Sequence, residues 1–169
     1  MLVKHRPRLA LVSWVAVAAM AQWNPSVAAE TCDLSAIGGA RELHETLSRR
    51  AVEVVKRGST SQWATDARLA QLVTPDASVD LGAGDVGRPL GHGVAGVRAL
   101  AETMKADSFT FAGWDYMDGP AAPCGAHKVT VEFVNTSDHR KATVEFEFNA
   151  GRMKAAKGWE RSFETGSLR

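Results

Sequence analysis

Several features that would assign a function at once are missing from this sequence. It has no histidine or cysteine spacing typical of a metal site, no Gly-x-Ser-x-Gly nucleophile and no phosphate-binding glycine loop. It also lacks an internal repeat and any apolar run of the roughly 20 residues that a helix needs to cross a bilayer. These absences argue against a metal site, a P-loop nucleotide site and a membrane-spanning helix, and we expect no cofactor.

A strong net charge is missing too. The chain has 20 Lys and Arg against 19 Asp and Glu, and three of the basic residues, Lys4, Arg6 and Arg8, lie at the very start. Without that start the balance is 17 against 19, a net charge of about −2. Such a chain has no electrostatic surface for nucleic acid or for an anionic membrane, so we expect neither as a partner.

The start of the chain has the three regions of a secretory signal peptide. The basic residues are followed by an apolar run over residues 9–21, and small residues at Ser26, Ala28 and Ala29 suit cleavage after Ala28 or Ala29. The apolar run is too short for a membrane anchor. We therefore predict a signal peptide over 1–28, an N-terminal extension over 29–37, one domain over 38–165, and a periplasmic or secreted protein.

The only two cysteines, Cys32 and Cys124, both lie after the predicted signal peptide. In an oxidising compartment two cysteines usually pair, and this pair would tie the N-terminal extension to a Pro- and Gly-rich loop. Free thiols, a metal ligand or a nucleophile assisted by His127 are the alternatives. No CxxC and no second ligand stand nearby, so we predict a disulfide and no metal site.

The hydrophobic periodicity predicts helices first and strands afterwards. An apolar stripe with a period near 3.6 residues marks the helices, and alternation marks the strands. The predicted helices cover 36–57, 62–73 and 94–105; the predicted strands cover 77–81, 86–90, 109–116 with a bulge at Gly113, 129–133, 144–148 and 153–163. A Pro75–Asp76 break is expected after the second helix.

Each long strand has one apolar face, which predicts a sheet with one buried side covered by the helices. Most aromatic residues share that inner face, and those near its open end would line a cavity with few polar groups. The predicted ligand-binding residues are Trp63, Phe109, Phe111, Trp114, Tyr116, Phe133, Phe146 and Trp159.

The order of these elements resembles the nuclear transport factor 2-like superfamily, which includes polyketide cyclases and ketosteroid isomerases. The residues that carry the resemblance are 72–77, 91–100 and the strand series 109–163, so it covers about 38–163 without any diagnostic motif. It implies an α+β, cone-shaped fold in which a curved antiparallel sheet wraps around three N-terminal helices and leaves a pocket at the open end. Members of this superfamily include enzymes and pure binding modules.

The catalytic residues of the isomerase members do not carry over. Those proteins use a tyrosine of the first helix as an oxyanion donor, whereas the only tyrosine here, Tyr116, lies on a predicted strand. His44, Asp66 and Asp80 are therefore weak catalytic candidates, and His127 is expected at the surface.

Three functional hypotheses follow. The first is an exported domain whose apolar pocket binds a small hydrophobic molecule without chemistry of its own. The second is an isomerase, dehydratase or cyclase that uses general acid–base catalysis in that pocket. The third is an interaction module that forms a homodimer through the outer face of the sheet.

Overall fold

Residues 32–84, 86–113 and 119–163 are described by the structure, a computed structural model. The predicted signal peptide over 1–28 lies outside these ranges, as do Trp114 and Tyr116, so these remain predictions. In the three described ranges no helix is both long and apolar enough to cross a membrane.

Two helices precede the sheet in the chain, and a third lies between its second and third strands. They are α1 (Ala40–Ser59), α2 (Ala67–Leu72) and α3 (Gly93–Met104), with a 3₁₀ turn over Trp63–Thr65 before α2. The first helix begins four residues later than predicted, because Gly39 is extended and the residues before it form a turn. The second is shorter than predicted, because Asp66 interrupts it and accepts a hydrogen bond from the backbone N–H of Leu69 as an N-cap.

Six strands form a single sheet among the described residues. They are β1 (Val73–Ala83), β2 (Pro89–His92), β3 (Ser108–Ala112), β4 (Ala126–Asn135), β5 (Arg140–Asn149) and β6 (Arg152–Ser162). Their order across the sheet is β2-β1-β6-β5-β4-β3. The α+β class is confirmed. One detail of the prediction is corrected, because β1 and β6 pair in parallel and the sheet is mixed. No hairpin joins these two strands, so nothing forces them to be antiparallel.

The predicted chain break at Pro75 and Asp76 is wrong. Both residues lie inside β1, which starts directly at the end of α2. The pairing of β1 with β6 jumps from Val73 to Ser78, which leaves Pro75 in an exposed irregularity. A proline is tolerated there because its missing N–H removes no ladder hydrogen bond.

The hydrophobic core lies between the helices and the inner face of the sheet. Buried side chains of α1 and α3, such as Leu47 and Leu100, share it with inward residues of β4 and β5, such as Val131 and Phe146. The outer face carries ion pairs instead, for example those of Lys128 with two glutamates of β5. The predicted one-sided sheet is therefore observed.

The two cysteines form the predicted disulfide. Cys32 and Cys124 are bonded with their Cα atoms 5.7 Å apart, across a sequence separation of 92 residues. The N-terminal segment is held beside the 119–125 loop by backbone hydrogen bonds as well, from Ala40 to Gly119 and from Ala121 to Gly38. The start of the described chain is thus fastened to the end of the sheet near β4.

Candidate functional site

A groove of about 470 Å³ opens between the second half of α1 and the edge strand β3. Its residues come from two elements that are far apart in the sequence. They are Arg49, Val52, Glu53, Lys56, Arg57, Thr60, Phe109 and Phe111. A volume of this size falls within the roughly 300–1,000 Å³ typical of small-molecule sites.

The floor of the groove is aromatic. Phe109 and Phe111 pair in register with the buried residues Phe133 and Val131 of β4, so they lie on the inner face of the sheet. Because β3 is the last strand of the sheet, its inner face is incompletely covered, and Phe109 keeps 38% of its surface exposed. The two rings lie 5.4 Å apart, and together they form an accessible apolar surface.

The rim of the groove is mostly basic. Arg49 lies 5.7 Å from the centre of the Phe111 ring and is paired with Glu45. Lys56 lies 4.9 Å from the centre of the Phe109 ring, and no carboxylate among the described residues pairs with it. Its ammonium group is therefore a positive charge available at the edge of an apolar floor.

The remaining rim charges neutralise each other. The guanidinium of Arg57 binds Glu53 at 2.8 Å and Asp66 at 3.0 Å. Hydrogen bonds to these two carboxylates, first that to Glu53, raise the pKa of Arg57. Glu53 also faces Arg68, so its carboxylate is paired with two guanidinium groups.

The predicted aromatic residues lie in different parts of the fold. Phe109 and Phe111 line the groove, and their binding of a ligand stays a prediction. Phe133 and Phe146 are core residues in edge-to-face contact at 6.2 Å, and Trp63 packs partly buried against the core.

The placement of Trp159 on the inner face is wrong. Its ring is 42% exposed and covers Gly82, where an added Cβ would overlap it. The cause is an extra residue in β6, since Glu147 pairs with Ala155 and Phe148 with Met153, which leaves Lys154 unpaired. One extra residue reverses the side to which every later side chain points.

Neither acidic catalytic candidate lies in a reactive setting. The carboxylate of Asp66 caps α2 and binds Arg57, and its pKa is lowered first by the backbone N–H of Leu69. Asp80 is half-buried on β1 and lines a depression beside Trp159 on the outer side of the sheet. Asp66 therefore has a structural role, and Asp80 lies away from the groove.

His44 is the candidate that the structure places in an unusual setting. It is only 9% exposed and lines a cleft of about 270 Å³ between α1, the 120–122 loop and the start of β4. Its Nε2 atom is buried and has no hydrogen-bond partner among the described residues. Burial is the main cause of its lowered pKa, a hydrogen bond to the backbone of Ala112 raises it, and the nearby charge of His127 lowers it further.

His127 was expected at the surface but is half-buried in the same cleft. Its Nε2 atom lies 2.7 Å from the carbonyl oxygen of Ala122. Nothing in the local sequence links position 127 to position 44, because the two meet only when the first helix packs on the fourth strand. No group of three metal-ligating side chains occurs in the described part of the chain.

The basic rim was not predicted from the sequence. Arg49 borders the groove, whereas its neighbour Arg50 is buried. The spacing of Arg49, Val52 and Lys56 along one helical stripe was the only available signal.

No protein-family model and no curated protein matches the chain. Among solved structures it is similar to a putative ketosteroid isomerase from Kribbella flavida, with 13% identity, a TM-score of 0.42, and coverage of 72% of this chain and 82% of that chain. It is also similar to a putative isomerase from Rhodopseudomonas palustris, with 12% identity, a TM-score of 0.43, and coverage of 69% and 90%.

A de novo designed protein of the nuclear transport factor 2 fold is similar as well, with 17% identity, a TM-score of 0.41, and coverage of 73% of this chain and 88% of that chain. Likenesses at TM-scores this low carry no argument about this chain, whose α+β architecture follows from its own helices and strands.

Proposed function

We propose that this protein is an exported binding domain that holds an apolar molecule with one negatively charged end in the groove between α1 and β3. The observation that carries the proposal is the exposed pair Phe109 and Phe111 beneath the ammonium group of Lys56. An apolar chain would cover the two rings, and a carboxylate at its end would lie against Lys56. Medium-chain fatty acids are the simplest molecules with this chemistry.

The energetics favour such an amphipathic ligand over a purely apolar one. Covering exposed aromatic surface contributes roughly 25 cal/mol for each Å² removed from water. A single exposed charge pair contributes on the order of 1 kcal/mol or less. Lys56 would therefore contribute more to the selectivity for a charged ligand than to the overall affinity. The arginines are already bound to carboxylates and would contribute less.

Export is supported by two features of the chain. The first 28 residues have the composition of a signal peptide, and the two cysteines after them are joined as a disulfide. Stable disulfides are typical of proteins outside the cytoplasm.

Calorimetric titration with octanoate and octanol tests the binding proposal, because the two molecules share a chain and differ in charge. We expect octanoate to bind more tightly than octanol. Lys56→Gln should weaken octanoate binding about three- to fivefold, which corresponds to under 1 kcal/mol, and should leave octanol binding unchanged. Phe109→Ala should weaken both ligands.

Lys157→Gln is the matched control. Lys157 also lies over an aromatic ring, 5.8 Å from the centre of Trp159, but on the outer side of the sheet. This variant should bind octanoate like the unaltered protein. Equal losses in the Lys56 and Lys157 variants, or no binding of octanoate at all, would overturn the proposal.

A catalytic role for this groove has less support. Glu53, the only carboxylate among its described lining residues, is tied to Arg57 and Arg68. The dimer hypothesis remains a prediction, and the ion pairs of the outer face neither require nor prevent it.

A further inference from the structure

A second candidate binding surface lies on the outer face of the sheet, on the opposite side from the groove. A depression of about 420 Å³ opens there, where β1 lies between β2 and β6. Its residues are Asp80, Gly82, Gly87, Pro89, Lys157, Gly158 and Trp159. It therefore brings a tryptophan ring, a carboxylate and an ammonium group to one place on the surface.

The ring of Trp159 crosses from β6 to β1 because glycine leaves it room. A Cβ added at Gly82 would overlap the six-membered part of the indole, and one added at Gly87 would lie 3.5 Å from its Cη2 atom. The backbone at these two positions thus supports the ring from beneath and beside. Trp159 nevertheless keeps 42% of its surface exposed, so an aromatic surface is accessible at a defined position.

Two groups of opposite charge lie beside this ring and do not pair with each other. Asp80 and Lys157 are register partners of β1 and β6. Within the described residues, the side chain of the half-buried Asp80 has no hydrogen bond or ion pair. The ammonium group of the exposed Lys157 lies 5.8 Å from the centre of the Trp159 ring. The depression therefore offers an acceptor and a donor of hydrogen bonds, with no excess of either charge.

We infer that this depression binds a neutral sugar, a pyranose ring whose C–H face packs on Trp159 while its hydroxyl groups donate to Asp80 and accept from Lys157. A pyranose combines an apolar ring face with hydroxyl groups around its edge, and each hydroxyl both donates and accepts. A purely apolar molecule would cover the ring but would remove the two charged groups from water without replacing those hydrogen bonds.

The test compares methyl β-D-glucopyranoside with sorbitol, which carries similar hydroxyl groups on an open chain. Binding to the unaltered protein is measured by nuclear magnetic resonance titration, with the indole N–H signal of Trp159 as the probe. The signal that is missing from Trp159→Phe identifies it. We expect the glucoside to bind about five- to tenfold more tightly than sorbitol, because only the glucoside has a ring face to pack on the indole.

Variants separate the contributions of the ring and of the carboxylate. Trp159→Ala should bind the glucoside no better than sorbitol, whereas Trp159→Phe keeps an aromatic ring and should retain part of the preference. These two are followed by backbone amide signals. Asp80→Ala should weaken glucoside binding about three- to tenfold, the range set by one hydrogen bond.

Two controls make the result specific. Asp76 is another aspartate of β1, but its side chain is 81% exposed and lies outside the depression. Asp76→Ala should therefore bind the glucoside like the unaltered protein. Phe109→Ala alters the groove and should leave glucoside binding intact, which separates this inference from the fatty-acid proposal.

Three results would overturn the inference. They are equal binding of the glucoside and sorbitol, undiminished glucoside binding by Trp159→Ala, and equal losses in the Asp80→Ala and Asp76→Ala variants. Analytical ultracentrifugation tests the other occupant of this surface, a second copy of the chain. A dimer that Trp159→Ala disrupts would assign the ring to an interface between copies and would equally overturn the sugar site.

Discussion

At the scale of single residues, two neighbouring arginines show how burial decides the importance of a charge. Arg50 is 8% exposed and binds both carboxylate oxygens of Asp33 and the carbonyl oxygen of Gly151. The ion pair of Arg49, the preceding residue, is an exposed one with Glu45 on the same helix. The first bond set joins three distant segments, whereas the second stays within one turn of α1.

We therefore expect Arg50→Leu to lower the free energy of unfolding by about 1–3 kcal/mol, because it leaves a buried carbonyl without its donor. Arg49→Leu, the matched control, should change stability by less than about 1 kcal/mol. Urea unfolding followed by circular dichroism measures both. Similar losses in the two variants would show that the Arg50 bonds do not stabilise the fold.

At the scale of elements, α3 approaches β1 and β2 at a position where only glycine fits. A Cβ placed at Gly96 would lie 2.9 Å from the carbonyl carbon and oxygen of Gly91 and 2.9 Å from a methyl group of Val79. Two of these three contacts are with backbone, which cannot rotate away. The short distance between α3 and the strands thus depends on one missing side chain.

Gly96→Ala should accordingly destabilise the protein by about 1–3 kcal/mol through overpacking, although alanine is the better helix former. Gly38→Ala is the control, because nothing lies within 4 Å of its added Cβ. That variant should be neutral or slightly stabilising. A Gly96→Ala protein that unfolds later than the unaltered one would contradict the close approach.

At the scale of the whole molecule, side chains of the N-terminal segment hold it to the domain. Cys32 is bonded to Cys124, and Asp33 is bonded to Arg50. The buried side chain of Leu34 follows directly and is 3% exposed. These contacts hold the predicted N-terminal extension against the folded domain.

Protein recovered from the periplasm or the medium should begin at Ala29 or Glu30 and should show no free thiol, which mass spectrometry and thiol labelling measure. Reduction should lower the free energy of unfolding by about 2–4 kcal/mol, because the bond closes a long loop. A Cys32→Ser/Cys124→Ser variant should not respond to the reductant. Retention of residues 1–28, or labelling without reductant, would contradict export with a formed disulfide.

Much of the fold could be predicted because its signals are local. The alternation in β4 and β5 and the apolar stripes of α1 and α3 are visible in short windows of sequence. The disulfide could be predicted since the chain has only two cysteines. The start of β1 at Val73 could not be predicted, because Pro75 and Asp76 together indicate a chain break. The pairing of β1 with β6, which is distant in the sequence, overrides that local preference.

The sequence by itself determined the α+β class, the order of the main elements and the cysteine pair, because periodicity and composition act over neighbouring residues. Only the tertiary structure decided which side chains meet. It brought His44 to His127, set Lys56 over Phe109, and turned Trp159 outward through the one extra residue in β6. The physical reason is that these contacts join residues far apart in the chain, where register and helix packing, rather than local preference, determine the geometry.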